Sequence, residues 1–254
     1  MSRGARLGLF TITGAGLAVV LLLGLRGLPA FGHYAGVYGR VVNGVEPAER
    51  HATDIVTALN FDLRAFDTLG EEFILFAAVT GVALLLRQLR DEEEASLSAG
   101  AEDHRFSAAS DALRGLSLVL IPILVALGAY VVMHGQLTPG GGFQGGIALA
   151  AGPLSILLAG RYLALKGVAP EWALEAVDSI GAAGYALIGV GGLIFASVYL
   201  KNFLPLGIPG HLLSAGMMPL NSLAVGVEVA GAFLLTWTEF LDQALLVKRK
   251  AGEG

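Results

Sequence analysis

The sequence contains no cysteine. That absence excludes disulfides, thiolate metal sites, iron–sulfur ligation and cysteine nucleophiles in this chain, so any redox cofactor would have to sit on a partner. Charge is scarce as well: Asp, Glu, Lys and Arg make up 15% of the 254 residues, where a soluble domain carries roughly a quarter. The 16 basic residues are outnumbered by 21 acidic ones, for a net charge of -5. Nucleic-acid binding needs a basic face or stripe, and the sequence has none. Enzyme signatures are missing too. There is no Gly-x-Ser-x-Gly elbow, and the five histidines are scattered without metal-ligand spacing. The expectation is a chain with no active site, metal or cofactor of its own.

What the sequence has instead is apolar length. Residues of the apolar class reach 55% and mean hydropathy is +0.70, with the charges bunched between long uncharged stretches. Crossing a hydrocarbon core takes about 20 mostly apolar residues. Six windows qualify, at 7–25, 68–89, 112–133, 143–165, 178–200 and 220–246. They are apolar all round rather than alternating, which predicts helices and excludes a barrel. The first window begins with Arg3 and Arg6 like a secretory signal, but its apolar run is too long and no clear small-residue cleavage site follows.

Lys and Arg fall unevenly on the two sides. One side collects Arg3, Arg6, Arg87, Arg90, Arg105, Arg114, Arg161, Lys166, Lys248, Arg249 and Lys250; the other has Arg26, Arg40, Arg50, Arg64 and Lys201. The richer side is expected to be cytoplasmic, which puts both termini inside. The predicted class is thus an all-α integral membrane protein with six spans in a multi-pass cell membrane. An acidic stretch, Asp91-Glu92-Glu93-Glu94 followed by Ser, Ala and Gly, reads as a solvated linker over 91–111. It separates a two-span module, 1–90, from a four-span module, 112–254. Ahead of the second span, Ile55, Leu59, Leu63 and Phe66 recur at helical spacing, and a helix is expected to start near Pro47. Small residues crowd the fourth window (Gly145, Gly146, Ala148, Ala150, Ala151, Gly152) and the fifth (Gly181, Gly184, Gly189, Gly191, Gly192). Such faces let helix backbones approach closely.

Between the third and fourth windows stands His134-Gly135-Gln136-Leu137-Thr138, then Pro139, Gly140, Gly141, Gly142, Phe143, Gln144, Gly145 and Gly146. Proline fixes one dihedral, the glycines permit left-handed backbone, and Gln144 is placed to bond amides left free at a helix start. Ile147-Ala148 follow the last glycine where a phosphate loop would need Lys and Ser or Thr.

This loop and its flanking spans resemble the B subunit of Mrp-type multisubunit cation/proton antiporters, the MnhB family. The likeness covers 112–246 and includes Asn221-Ser222-Leu223-Ala224-Val225-Gly226-Val227-Glu228 at the last span. Gln136 stands where relatives often carry a second histidine, and Thr138 replaces a frequent serine. A second stretch, Phe61-Asp62-Leu63-Arg64-Ala65-Phe66-Asp67-Thr68-Leu69-Gly70-Glu71, is similar to the end of the large A-type component of the same antiporters. That module is a separate small subunit in membrane-bound hydrogenases. The resemblance implies a membrane subunit of a Na⁺/H⁺ antiporter in a bacterial or archaeal inner membrane, with other membrane subunits as partners and Na⁺ and H⁺ as the transported ions. The alternative it implies is the equivalent subunit of a redox-driven respiratory complex.

A carboxylate inside a span is costly and by default a functional suspect. Glu228 is the clearest, eight positions into the sixth window and so roughly 12 Å along the helix. Glu71 and Glu72 open the second window, where Thr68-Leu69-Gly70-Glu71 also reads as a capping box. Asp178 stands at the head of the fifth. Glu239 and Asp242 approach the end of the sixth, where water or Lys248-Arg249-Lys250 would accommodate them. Histidine as a residue type ordinarily titrates near neutrality, so His134 is a candidate shuttle, although a lone histidine is more often a hydrogen-bonded structural residue.

Overall fold

The computed structural model describes residues 3–28, 36–94, 110–159 and 162–252, and among them it is all-helical. The chain divides into two compact units, Met1–Val41 and Val42–Gly254. The first contains α1 (Arg3–Arg26), whose Thr11 and Thr13 hydroxyls donate back to the carbonyls of Leu7 and Phe10. α2 (Val37–Arg50) crosses the boundary between the units.

Pro47 does not begin a helix as expected; it lies in the last turn of α2. The stronger start signal is Asp54, whose carboxylate accepts from the amides of Val56 and Thr57 and so caps α3 (Ile55–Ala58). A π-helical turn, Leu59–Leu63, closes with Arg64 N donating to Leu59 O, and α4 (Ala65–Glu94) follows. Because α4 is already under way at Thr68, the capping box does not form there. The Thr68 hydroxyl instead donates to Asn60 O, bracing the π turn. α4 continues through the first acidic residues of the linker, whose remainder, 95–109, lies outside the described residues.

The second unit then runs α5 (Asp111–Met133), α6 (Gly142–Leu158), α7 (Tyr162–Val168), α8 (Glu171–Ala196) and α9 (Met218–Gly252). The fourth and fifth windows are corrected. α6 ends at Leu158 with Ala159 as its C-terminal cap, short of the 165 read from the sequence. α8 starts seven residues earlier than read, after Pro170, and ends at Ser197 in left-handed backbone rather than running to residue 200. Four helices among the described residues are long and apolar enough to cross a membrane: Ala65–Arg87, Asp111–Met133, Glu171–Ala196 and Met218–Ala244. Phe10–Arg26 and Gly142–Leu158 are apolar but shorter.

α9 is the axis of the bundle, packed by α4, α6 and α8, while α5 packs on α6. Glycine makes these approaches possible. A Cβ on Gly142 would stand 2.6 Å from Val225 Cβ, one on Gly145 2.5 Å from Val132 Cγ2, and one on Gly146 2.8 Å from Gly226 O. The small-residue stripe of α6 therefore meets α5 and α9 within this chain. Gly181 does the same for α8 against α9, but Gly189, Gly191 and Gly192 do not face a helix. They receive Tyr199, Phe203 and the backbone of Lys201 from the loop that follows α8.

Candidate functional site

Three carboxylates meet where α4, α8 and α9 cross. Glu72 is seven residues into α4, Asp178 seven into α8 and Glu228 ten into α9, depths of roughly 10–15 Å at 1.5 Å per residue. Their exposures are 2%, 2% and 0%. The α8–α9 crossing is tight enough to force the meeting. A Cβ on Gly181 would lie 2.5 Å from Glu228 Cα, and one on Gly231 2.7 Å from Asp178 N. The Glu72 and Glu228 carboxyls face each other at hydrogen-bonding range, with Asp178 close enough to act on both. Two carboxylates have no proton to share, so that bond forms only when one of them is protonated. As carboxylates, Glu72 Oε2, both Glu228 oxygens and Asp178 Oδ1 are buried with no donor. Leaving buried acceptors without partners costs about 1–3 kcal/mol each, which is hard to account for in residues that only fill space.

The end of the bundle above this trio is closed by polar backbone pairing. Tyr185, fully buried on α8, donates its hydroxyl to Ala65 O at 2.9 Å and packs on Phe61. Asn221 Nδ2 donates to Phe61 O. The glycine loop is riveted to the start of α3: Thr57 Oγ1 donates to Gly135 O at 2.6 Å, Thr53 Oγ1 to Leu137 O at 2.6 Å, and the amides of Thr53 and Asp54 to Gln136 O. Gln136 is fully buried and donates Nε2 to Leu212 O at 2.7 Å. Ser222 Oγ ties α9 to Val132 O. Gly140 and Gly141, with φ of +155° and +108°, supply the left-handed turn that brings the chain back into α6.

The other end of the bundle carries an ionic network. Arg87, at the end of the α4 span, pairs through Nε with Glu239 of α9 at 2.5 Å and through Nη1 with Glu175 of α8, and Glu171 lies 3.9 Å from Nη2. Lys166 of α7 joins Asp242 at 2.6 Å and Glu171 at 3.2 Å. Glu239 and Asp242 pair with Arg87 of α4 and Lys166 of α7; the side chains of the cluster at 248–250 lie outside the described residues.

The sequence candidates therefore separate. Glu228, Glu72 and Asp178 come together, whereas Glu71 is exposed on the outer side of α4. His134 ends α5, stacks on Tyr130 with ring centroids 4.1 Å apart and bonds Tyr130 O through Nδ1, a cap rather than a member of the trio. Gln144 is exposed, and Gly141, which begins α6, receives no side-chain cap. Pro139 lies exposed in the turn, while Phe143 packs edge-on against Phe233 of α9. Tyr185 and Arg87 escaped the sequence reading. Arg87 could have been flagged as the charge that ends α4's apolar run opposite Glu171 and Glu175, which share a helix face at i, i+4.

Comparison with known proteins gives one family for the larger part of this unit. Residues 112–235 match the model described as "Domain related to MnhB subunit of Na+/H+ antiporter". An uncharacterized protein of Methanocaldococcus jannaschii is 33% identical over 204 residues, covering 71% of this chain and 76% of its own. The probable K⁺/H⁺ antiporter A/B subunit of Rhizobium meliloti is 34% identical over 119 residues, 41% of this chain and 12% of that protein. Among solved structures, a chain of the membrane-bound sulfane sulfur reductase, an archaeal respiratory membrane complex, superposes with TM-score 0.71 and 28% identity. The match covers 93% of this chain and 98% of that one. The Mrp complex from Dietzia sp. DQ12-45-1b shares the fold, with TM-score 0.68 and 23% identity over 94% of this chain and 26% of that one.

Proposed function

The chain belongs to the MnhB-type family of membrane subunits, and from that premise we propose that it serves a multisubunit cation/proton antiporter as a multi-pass helical subunit. The transported ions would be Na⁺ and H⁺, and the partners other membrane subunits of the same complex. In this reading all six apolar helices cross a bacterial or archaeal inner membrane, both termini face the cytoplasm, and 1–90, 91–111 and 112–254 act as A-like module, linker and B-like module. The chain itself contributes no active site or cofactor.

One observation carries the reading: Glu72, Asp178 and Glu228 present buried oxygens without donors at a single helix crossing. A proton supplies the missing donor, and the negative charge left when it departs attracts cations, which supports a role in cation-coupled proton movement. Glu71 faces outward on the same helix. A carboxylate on a lipid face is costly, which favours a polar neighbour from another subunit there. Glu228→Gln keeps the volume of the side chain while removing its charge. It should leave the complex assembled and abolish most cation-dependent proton exchange in vesicles, and unchanged exchange would refute the reading.

A second reading has one specific support: the respiratory-complex chain is matched over nearly its full length. If the assembly is redox-driven, iron–sulfur absorption will co-purify with it on other subunits, and ion movement will need an electron donor rather than a pre-formed gradient.

A further inference from the structure

Below the trio, a cleft of about 180 Å³ opens between α4 and α8, lined by Thr80, Ala83 and Arg87 on one side, Glu175, Asp178 and Ser179 on the other, with Leu235 of α9 at the back. At about 30 Å³ per water it has room for some six. Its polar residues are ordered along the helices. Glu171, Glu175 and Asp178 are spaced four and three apart, one face of α8, so a line of carboxylates descends from the ionic network to the trio. Asp178 lines the cleft, and its Oδ1 is buried without a donor. Within the lining, Glu175 and Asp178 stand against the single guanidinium of Arg87, which pairs with Glu175 and leaves the wall at Asp178 net negative.

We propose that this cleft is a hydrated, cation-attracting inlet that joins the Arg87 end of the bundle to Asp178. Arg87 is a positioning residue in it. By pairing with Glu175 and Glu239 it holds α4, α8 and α9 at the separation that keeps the cleft open, and it leaves the charge of Asp178 to draw cations inward. The inlet supplies the trio from one side of the membrane only, because the opposite end is closed by the Gln136, Thr57 and Asn221 hydrogen bonds. The inference rests on the trio reading above, but it concerns access rather than exchange.

The absence of native cysteine makes the test direct. Ser179→Cys and Thr80→Cys, each in the assembled complex in membrane vesicles, are exposed to membrane-impermeant methanethiosulfonates of positive and negative charge. Leu187→Cys, on the exposed apolar side of α8, serves as the lipid-facing control, and Gly252→Cys, at the far end of α9, marks the Arg87 side. Because only a hydrated thiolate reacts, Ser179→Cys or Thr80→Cys should be labelled at least about tenfold faster than Leu187→Cys. Labelling should come only from the side that labels Gly252→Cys, and the cationic reagent should be the faster. Reactivity equal to Leu187→Cys, or labelling from the opposite side, overturns the inlet. Exchange lost in Glu228→Gln while Ser179→Cys and Thr80→Cys stay unreactive would leave the trio standing and remove only this proposal.

Discussion

Gly181 and Gly184 lie one helical turn apart on α8, yet alanine should act very differently at the two. At Gly181 the new Cβ would stand 2.5 Å from Glu228 Cα and closer still to Glu228 N, whereas ordinary contact begins near 3.4 Å, so α9 must retreat by at least about 0.9 Å. The obstruction is backbone, which cannot rotate aside. Overpacking of this kind costs about 1–3 kcal/mol, and the retreat also moves Glu228 away from Asp178 of α8. At Gly184 the new Cβ would meet Ala224 Cβ at 3.6 Å, an ordinary van der Waals contact, so the change should stay within about 0.5 kcal/mol. Thermal denaturation of the purified complex in detergent, read as loss of this subunit from the assembly, compares the two variants directly. Cation-dependent proton exchange in vesicles is the second readout. Gly181→Ala should lower both stability and exchange while Gly184→Ala leaves both near the parent. Equal behaviour of the two would show that the α8–α9 approach does not set the site.

Arg87→Met should destabilise the subunit by up to about 3 kcal/mol, because it removes the guanidinium that pairs with Glu239, which is 1% exposed. Adding Glu239→Met should restore most of that in a thermal melt, and failure to restore it would argue against the pair. Asp54→Ala removes the cap of α3 together with the Thr57 hydroxyl contact at 2.7 Å. Its cost should be about 1 kcal/mol, visible as faster proteolysis near residue 54. Asp62, outside the spans, has its carboxyl raised above the usual range by burial, with the Arg50 partner at 2.6 Å offsetting only part of that. A raised acid favours the folded state at low pH and loses that contribution as pH rises from the ordinary 3.8 through the higher folded value. Asp62→Asn should flatten this limb of the stability–pH curve, and an unchanged slope would contradict the assignment.

The long apolar helices were legible because burial in lipid imposes one requirement, length without charge, that a single sequence displays openly. Boundaries were less so. Pro47 suggested a helix start because proline suits a first turn, but a two-amide cap at Asp54 specifies a start more strongly, and no periodicity announces a π turn. The glycine stripe of α6 was read as a packing face and is one. The same composition in α8 serves two purposes, since Gly181 admits a helix while Gly191 and Gly192 admit a loop folded back from beyond the span. Glu71 and Glu72 are adjacent in sequence and opposite in fate, because a step of 100° around the helix carries one into the bundle and the other out. Which face points inward depends on neighbours that the sequence does not name. Glu228 was visible as a charge deep in an apolar run. Its meeting with Glu72 and Asp178 required three helices to cross at one level, a tertiary fact.

The central claim is that Glu72 and Glu228 act as one proton-sharing unit, and a double-mutant cycle on exchange rate tests it most directly. Glu72→Gln, Glu228→Gln and the double variant are compared in vesicles after assembly is confirmed for each. If the two carboxyls share one function, each single variant loses nearly all exchange and the double loses no more. If the losses multiply, with the double variant slower than the parent by the product of the two single effects, the two residues act independently and the account is wrong.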